Sequence, residues 1–497
     1  MTVASPRTVV EQTLDAFAEH GDRVAVRLDA GGEPVDWTYR DLRDRVWREA
    51  RRLEGLGAGP GDTVAVVTGD DPLTFVLRWA VNVVGATWVN VADGYAADTL
   101  GRILDTLGVD LVLTDTGRSA LCRDAVGARS VALADVEELA APADATPLPV
   151  RIGPGDLASI SLTSGSTGTP KGVPRRAAPP SPPDALAEWR DVVHLLCTPV
   201  AHVGGTAATV VLRAGGRVVL QPGFDAARVL AAVERERATL LMPLFPRQLV
   251  ALLDHPDLPR TDTASLRSLR LGGSPASATR IGEAVERFGP IVSQVYGTIE
   301  ATNIATISAE ELARPELRGT VGRAAPGVEL SLRDADDAEV PVGEVGEIWV
   351  RGPAVMPGYV GAPDDTAAVL RDGWLWTGDL GRLDGAGYLT LVGRTKELIY
   401  GERARIHPPD IEEVLAEHPA VASAAVFATR DRDGVEAAAA AVVPRRGRAP
   451  SAAELVDWVA ARRGSRVAPS VVHLVDDLPT LVGGKVDRRA LRERYSP

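Results

Sequence analysis

The hydrophobic pattern of the N-terminal part of the chain alternates between two periods. Thr63–Val67 is apolar at nearly every position, which is typical of a buried strand, whereas Pro72–Val84 and Ala97–Leu107 place apolar residues at helical spacing. Thr38, followed three residues later by Asp41, predicts the capped start of another helix. Strands that alternate with helices of about ten to fifteen residues predict parallel sheets covered by helices.

The same alternation of helices and strands resumes in the middle of the chain, and it is followed by a segment with a strand-like pattern. Ala226–Glu236 and Ser277–Phe288 are predicted helices, but residues 319–392 contain short alternating runs and glycine turns that predict a β-rich subdomain. A compact tail with a few helices and strands follows. We therefore predict an α/β fold with a large domain of helix-covered sheets at 1–395, which includes that subdomain, and a small α+β domain at 396–497.

Composition narrows the functional class. The chain has 497 residues, of which 45% are hydrophobic and 24% charged, as in ordinary globular enzymes. Its net charge of −13 argues against nucleic acid or an anionic membrane as the main partner. Because no apolar run approaches the length of a membrane span and no leader pattern is visible, we expect neither a span nor a signal peptide. Cys122 and Cys197 are too few for a disulfide framework or a metal cluster, which favours a cytoplasmic protein.

Lysine is rare in this chain. Only Lys171, Lys396 and Lys485 occur among 54 basic residues, and the others are arginines, which suggests a bacterial source with GC-rich coding. Arginine serves where only surface charge is needed. We therefore expect each lysine to lie where a compact ammonium is required and a planar guanidinium would not fit.

A loop rich in glycine and hydroxyl residues, Thr163–Gly172, is a candidate anion site. Glycine tolerates positive φ and lets backbone N–H groups converge on an anion, and Lys171 adds a positive charge. The loop is not a Walker A motif, because Pro170 and Gly172 stand where that motif has Gly and Ser or Thr. The alternative interpretation is a solvated surface loop.

Four further stretches could carry chemistry, although each is weak on its own. Tyr296–Glu300 ends a predicted strand with a glycine, a hydroxyl and a carboxylate, and Trp376–Asp379 places a carboxylate after a glycine. Gly393–Lys396 lies at the predicted domain boundary, and Leu478–Asp487 carries Lys485 on a glycine-rich turn. An Asp after Thr-Gly is more often a turn former than a ligand.

Taken together and in this order, the loop and the four stretches resemble the adenylate-forming superfamily, which includes acyl- and aryl-CoA synthetases, nonribosomal-peptide adenylation domains and luciferases. The resemblance extends from about Thr38 to Leu491. It implies a large N-terminal domain and a small mobile C-terminal domain. It also implies activation of a carboxylic acid with Mg-ATP to an acyl-adenylate, release of pyrophosphate, and transfer to a thiol, either of coenzyme A or of a carrier-protein phosphopantetheine.

The resemblance implies a role for each motif residue. Lys485 would bridge the substrate carboxylate and the α-phosphate, Glu300 would hold Mg²⁺, and Lys396 would be the hinge between the domains. Asp379 would accept the ribose hydroxyls with support from Arg394. The β- and γ-phosphates would be bound by Thr163, Ser164, Gly165, Ser166, Thr167, Gly168 and Lys171. The adenine side of the nucleotide would be framed by Gly272, Gly273, Ser274, Tyr296, Gly297 and Thr298.

Two departures from the family pattern bear on the reaction. Ile299 occupies the place of a threonine that normally precedes Glu300, with the hydroxyl at Thr298 instead. After the hinge, Glu402 and Arg403 stand where the family has small residues, in a segment that normally approaches the active site during thiol transfer. Transfer is therefore less firmly implied than adenylation.

His202 bears on the choice of acid. The stretch Thr198–His202 resembles the lining of the acyl pocket, where amino-acid-activating members carry an Asp that pairs with the α-ammonium. With His202 in that region and apolar residues in Met242–Phe245, we expect an apolar aliphatic or aromatic acid, and we include His202 among the catalytic candidates. The alternative is a histidine that only packs.

Three functions remain open at this point. The first is an acyl- or aryl-CoA synthetase. The second is a ligase of the same chemistry that loads a carrier protein, or acylates another nucleophile, in a biosynthetic pathway. The third is a nucleotide-binding protein without turnover, which the presence of Lys171, Glu300, Asp379 and Lys485 argues against.

Overall fold

The structure, a computed structural model, describes residues 7–92, 94–127, 132–136, 143–163, 169–401, 405–430, 436–481 and 485–495. The predicted loop residues Ser164, Gly165, Ser166, Thr167 and Gly168, and the post-hinge residues Glu402 and Arg403, lie outside the described residues. By its internal contacts the chain divides into two compact units. The first unit comprises residues 1–243, 264–267 and 356–368, and the second comprises 244–263, 268–355 and 369–497.

Helices occur along almost the whole length of the chain. In chain order they are α1 Val9–His20, α2 Tyr39–Gly55, α3 Pro72–Val83, α4 Ala97–Leu107, α5 Ser119–Val126, α6 Pro183–Ala187, α7 Val203–Arg213, α8 Ala226–Glu236, α9 Pro246–Leu253, α10 Ala278–Phe288, α11 Ala309–Leu312, α12 Pro363–Val369, α13 Pro408–Ala416, α14 Ala452–Arg463 and α15 Arg488–Tyr495.

The strands of the first unit are β1 Val24–Leu28, β2 Val35–Thr38, β3 Thr63–Val67, β4 Thr87–Asn90, β5 Leu111–Thr114, β6 Ala132–Asp135, β7 Leu157–Leu162, β8 Gly172–Arg176, β9 Val193–Leu196, β10 Arg217–Leu220 and β11 Leu240–Leu244, whose last residue belongs to the second unit. The strands of the second unit are β12 Ser268–Leu271, β13 Val292–Tyr296, β14 Ala305–Ile307, β15 Arg323–Ala324, β16 Glu329–Arg333, β17 Val345–Arg351, β18 Leu370–Arg371, β19 Trp374–Leu383, β20 Leu389–Arg394, β21 Ile399–Tyr400, β22 Arg405–Ile406, β23 Val421–Arg430, β24 Glu436–Pro444 and β25 Val471–Leu474.

The first unit contains two largely parallel sheets. In one the strand order is β6-β5-β3-β4-β7-β8, and only the β7–β8 pair is antiparallel. In the other, β11, β9, β10 and β1 run parallel and β2 returns antiparallel to β1. Apolar residues of the helices and strands form the core, with Phe17, Tyr39 and Phe75 fully or almost fully buried. The prediction of helix-covered parallel sheets is confirmed.

Local sequence signals place several helices correctly. The helices α4 and α8 have the predicted bounds, and α10 begins one residue after its cap, Ser277. At the start of α2, the Thr38 hydroxyl accepts a hydrogen bond from the Asp41 N–H at 3.1 Å, while the Asp41 carboxylate accepts one from the Thr38 N–H at 2.8 Å. This reciprocal pair satisfies two of the N–H groups that a helix leaves unpaired at its first turn.

The second unit is richer in antiparallel strands. The strands β16, β17, β19 and β20 pair antiparallel in that order. The short strand β18 also pairs antiparallel with β19, on the edge opposite β17. These strands begin inside the predicted β-rich segment 319–392, and β20 extends two residues beyond its end, to Arg394. A further sheet, β23-β24-β25, carries α13, α14 and α15 and has its own apolar core. The domain boundary at about residue 395 stays a prediction. Within the described residues, no helix is long and apolar enough to cross a membrane.

Candidate active site

Asp379 is the centre of a polar cluster in the second unit. One oxygen of its carboxylate, Oδ2, accepts a hydrogen bond from the Tyr296 hydroxyl at 2.6 Å, and the other, Oδ1, lies 2.7 Å from Nε of Arg394. Asp379 itself is only 8% exposed. Three residues from separate predicted motifs therefore meet at one carboxylate.

Strand register brings these side chains together. Asp379 lies opposite Arg394 in the antiparallel β19–β20 pair, and Tyr296 is the last residue of β13. The Asp379 N–H donates to the Thr377 hydroxyl at 3.1 Å, which fixes the backbone at the end of the Trp376–Asp379 motif. Burial, together with the neighbouring carboxylate, raises the pKa of Tyr296 well above its usual value. The same carboxylate raises the pKa of Arg394.

Lys485 interacts electrostatically with this cluster. It is partly buried, and its carbonyl accepts a hydrogen bond from the Leu481 N–H at 2.8 Å across the base of the C-terminal turn. Burial lowers the pKa of Lys485, and Arg394 lowers it further, while Asp379, Glu300 and Glu397 act in the opposite direction. The neighbouring carboxylates do not fully offset the effect of burial on this ammonium. An additional anion would therefore bind favourably beside it.

Two glycines of the adenine motifs are required by close packing. A Cβ at Gly297 would lie 1.5 Å from the Thr302 carbonyl oxygen, so no other residue fits without moving the backbone. Gly273 has a φ of +84°, and a Cβ there would lie 2.4 Å from the ring of Phe245. Gly272 is buried beside Gly273, and Ser274 is partly buried. The sequence predicted these positions from resemblance, and the packing supplies a reason for two of them.

The residues after Tyr296 form a turn. The Thr298 hydroxyl accepts a hydrogen bond from the Ala301 N–H at 3.1 Å, so its local role is to stabilise that turn. Ile299 and Glu300 lie in the same turn and are partly buried. The charge of Glu300 is one of the influences that raise the pKa of Lys485. The role of Glu300 as a Mg²⁺ ligand and the nucleotide-binding role of Thr298 stay predictions.

In the first unit, two hydrogen bonds join the residues at the two ends of the glycine-rich loop. The Thr163 N–H donates to the Lys171 carbonyl at 2.9 Å, and the Lys171 N–H donates to the Thr163 hydroxyl at 3.0 Å. These bonds close the loop between β7 and β8. The side chain of Lys171 lies 2.5 Å from a carboxylate oxygen of Asp365 and 5.0 Å from the ring centre of Tyr359. The sequence analysis missed both neighbours.

His202 occupies the N-cap position of α7 and is partly buried. The packing behind it is tight, because a Cβ at Gly204 would lie 2.6 Å from side-chain atoms of Leu196 and Thr198. A Cβ at Gly205 would lie 2.0 Å from the Val200 carbonyl oxygen. The two glycines thus fix the start of α7, while a direct catalytic role of His202 stays a prediction.

The residues beyond the predicted boundary contact α10 through charged side chains. The Glu413 carboxylate accepts hydrogen bonds from the N–H groups of Ala278 and Thr279, at 3.0 and 3.1 Å, at the first turn of α10. Arg445 lies 2.7 Å from Glu283 on the same helix. Lys396 is exposed in a short 3₁₀ turn, Thr395–Glu397, and its hinge role stays a prediction.

Comparison with known proteins agrees with these motifs over almost the whole chain. The family model for AMP-binding enzymes matches residues 14–360, and the model for the C-terminal domain of AMP-binding enzymes matches 410–485. The medium/long-chain-fatty-acid–CoA ligase FadD8 of Mycobacterium tuberculosis is 34% identical over 92% of this chain and 86% of its own length. A feruloyl-CoA synthase from Amycolatopsis is also 34% identical, over 92% of this chain and 94% of its own length.

A solved structure shares the fold at similar identity. The amide bond synthetase McbA from Marinactinospora thermotolerans superposes with a TM-score of 0.85 at 34% identity, covering 98% of this chain and 100% of that chain.

Proposed function

The chain belongs to the family of AMP-binding enzymes, within the adenylate-forming superfamily, and on that premise we propose that it activates an apolar aliphatic or aromatic carboxylic acid with ATP. The products of this first step are an acyl-adenylate and pyrophosphate. The proposal rests above all on one observation: Tyr296 and Arg394 meet at the carboxylate of Asp379, and the charges of Asp379 and Arg394 both act on the pKa of Lys485. These residues come from four separate sequence motifs.

In this proposal Asp379 binds the ribose. Each oxygen of an ionised carboxylate can accept about two hydrogen bonds. Tyr296 and Arg394 each occupy one acceptor position, on opposite oxygens, so both oxygens retain capacity for a ribose hydroxyl. The two protein contacts also prevent the carboxylate from rotating, which orients it before the nucleotide arrives.

Lys485 is proposed to act on the reacting atoms. Attack of a carboxylate on the α-phosphorus brings two anionic groups into contact, and an ammonium between them stabilises the charge that develops in the transition state. The partial dehydration of Lys485 strengthens that interaction, because a charge pair is worth more in a medium of low polarity than in water. A lysine provides a compact point charge that the planar guanidinium of an arginine does not.

Mg²⁺ fits the residues that are present. Among the described residues, no group of three or more His, Cys, Asp or Glu side chains could hold a metal ion. Mg²⁺ at nucleotide sites usually takes one or two carboxylates together with phosphate oxygens and water, so a single carboxylate suffices, and we propose Glu300. When bound, the ion would neutralise charge on the phosphates.

Lys171 and Thr163 are proposed to bind the β- and γ-phosphates. Both lie at the closed base of the glycine-rich loop, where the hairpin β7–β8 holds their backbone. An ammonium group carries three N–H donors, and a Thr hydroxyl can donate one more hydrogen bond to a phosphate oxygen.

Coenzyme A is the proposed acceptor of the acyl group. FadD8 and the feruloyl-CoA synthase are named for that thiol, and each aligns with more than nine-tenths of this chain. The phosphopantetheine of a carrier protein is the alternative thiol. A fatty acid–[acyl-carrier-protein] ligase, ScoC of Streptomyces coeruleorubidus, is 30% identical over 97% of this chain. We propose a cytoplasmic location, where ATP and coenzyme A are available.

An amine is a second candidate acceptor, favoured by one specific observation. McbA, named an amide bond synthetase, is as identical to this chain as the two CoA ligases are, and the alignment covers all of it. The sequence departure at Glu402 and Arg403 falls in the segment that the family uses for the second half-reaction. An amine would attack the carbonyl carbon of the adenylate, form the amide bond, release AMP and lose one proton.

A panel of carboxylic acids tests the first step. Fatty acids, cinnamic acids, indole acids and α-amino acids are each incubated with Mg-ATP and the full chain, and pyrophosphate release is measured. We expect release with apolar acids and little with α-amino acids. Absence of release with every acid would support the third possibility, a nucleotide-binding protein without turnover.

A competition experiment tests the acceptor. Coenzyme A, a phosphopantetheinylated carrier protein and a panel of primary amines are added together to the enzyme with its best acid, and the products are identified by mass. We expect acyl-CoA as the main product. A predominant amide, with coenzyme A left unmodified, would replace the thiol by the amine as the acceptor.

A further inference from the structure

The side chain of Lys171 has an acidic partner within the protein. Its Nζ lies 2.5 Å from Oδ1 of Asp365, near the start of α12, and the two side chains are 33% and 49% exposed. The ring of Tyr359 lies beneath the same ammonium, with 5.0 Å between Nζ and the ring centre. The proposed phosphate-binding lysine is therefore already engaged before any phosphate arrives.

The fold holds both partners in place. Gly172, next to Lys171, accepts a hydrogen bond on its carbonyl from the Val360 N–H at 2.9 Å. It also packs so closely that a Cβ would lie 2.5 Å from Leu107. On the other side, the Thr366 hydroxyl accepts from the Tyr359 N–H and donates to the Ala362 carbonyl, each at 2.9 Å. The turn that leads into α12 is thus fixed beside the base of the loop.

In the proposed function, a phosphate oxygen competes with the Asp365 carboxylate for the ammonium of Lys171. The charge of that ammonium is compact, and its N–H donors point in limited directions. To bind a phosphate fully, Lys171 must leave Asp365 or share its charge with it.

We propose that Asp365 is a positioning residue that holds Lys171 between turnovers and weakens the binding of both ATP and pyrophosphate. This inference rests on the proposed function, because it takes Lys171 as a phosphate ligand. Its functional consequence concerns the product. Pyrophosphate must leave after the adenylate forms, and an internal carboxylate that reclaims the ammonium favours that departure.

The chain supplies a matched control. Asp364 is the adjacent residue of α12, is also exposed and carries the same charge. Replacing either residue by the corresponding amide changes the net charge of the protein equally. Only Asp365→Asn removes the partner of Lys171.

The test measures the KM for ATP, the KM for the acid and the inhibition constant of pyrophosphate in the two variants. For Asp365→Asn we expect the KM for ATP and the inhibition constant of pyrophosphate to fall about two- to fivefold, the range typical of an exposed ion pair. The KM for the acid should not change. For Asp364→Asn we expect values close to wild type. In a Lys171→Met background, Asp365→Asn is expected to have no further effect.

Three results would overturn the inference: equal shifts in Asp365→Asn and Asp364→Asn, an Asp365→Asn effect that persists without Lys171, or weaker rather than tighter pyrophosphate binding. Failure of the proposed function looks different. In that case the wild-type chain releases no pyrophosphate with any acid, whether or not it binds ATP in calorimetry.

Discussion

Lys171 and Lys485 are both proposed to bind anionic groups, but they differ in how the protein compensates their positive charge. Lys171 lies at the base of a hairpin, with its side chain one-third exposed and Asp365 in direct contact. Lys485 lies partly buried in a cluster of mixed charge, where burial is the largest influence on its pKa and lowers it. The charge of Lys171 is compensated by a carboxylate, which a phosphate would have to displace in the proposed function. At Lys485, burial outweighs the attraction of the neighbouring carboxylates, which makes the ammonium less stable until an additional anion binds.

Removing the ammonium of Lys485 should have the largest effect. We expect Lys485→Met to slow acid-dependent pyrophosphate release about 100- to 1000-fold, as for the loss of one transition-state stabiliser. Because Met keeps the apolar stem without the dehydrated charge, the melting temperature should stay the same or rise.

Arg489→Ala, an exposed substitution on α15, serves as the control for general disturbance of the C-terminal segment. If Lys485→Met released pyrophosphate at a nearly wild-type rate, or unfolded at a clearly lower temperature, the contrast between the two lysines would be wrong.

Loss of the Asp379 carboxylate should have the next largest effect on activity. Asp379→Asn removes a charge that binds Arg394 and Tyr296, and we expect kcat/KM for ATP to fall about 10- to 100-fold, as for a hydrogen bond to a charged group. Tyr296→Phe removes one contact and keeps the carboxylate, so its loss should be smaller. A Tyr296→Phe loss as large as that of Asp379→Asn would assign the dominant role to the phenol.

The lowered pKa of Lys485 predicts a pH effect. Its ammonium should lose its proton at a lower pH than an ordinary lysine, whose pKa is about 10.4. The alkaline limb of kcat/KM for adenylation should therefore lie below that value. Because the folded-state pKa is below the unfolded one, the unfolded chain binds more protons between the two values, and stability from this group rises with pH there.

With three lysines, the side-chain nitrogen signals can be assigned by single substitutions and titrated directly by NMR. Titration of Lys485 at or above the ordinary lysine value would contradict this prediction.

The contact of Glu413 with α10 should have the smallest effect. Its carboxylate accepts two N–H bonds at the start of that helix, an interaction worth about 1 kcal/mol. If this contact helps to hold Lys485 in its cluster, Glu413→Ala should reduce the adenylation rate about fivefold. Glu417→Ala, an exposed substitution directly after α13, the helix that carries Glu413, is the control and should stay near wild type. Equal rates in the two variants would show that the position of Lys485 does not depend on this contact.

Much of the fold could be predicted because its signals are local. The Thr38–Asp41 pair at the start of α2, and the bounds of α4 and α8, follow from apolar spacing and capping chemistry within one segment. The meeting of Asp379, Arg394 and Tyr296 is different, since spacing alone does not reveal which strands pair. The family resemblance named these residues, and the strand register explains how they come together.

The partners of the two lysines could not be predicted. Asp365 is 194 residues from Lys171, and in the sequence the pair Asp364–Asp365 after Pro363 looks like an ordinary acidic first turn of a helix. Glu413 has the same ambiguity, because nothing in its own segment indicates that it binds another helix. Such contacts are decided by tertiary packing, which a local pattern does not encode.

Because lysine is scarce, the three positions with proposed roles can be followed by amine-reactive labelling. An amine-reactive reagent meets Lys396 exposed, Lys171 one-third exposed and Lys485 partly buried. Each lysine lies on a different tryptic peptide, so mass spectrometry reads the loop, the segment at the predicted boundary and the C-terminal turn separately from one reaction. Protection by ATP, acid or acceptor can then be followed at each step of the cycle without introducing a label.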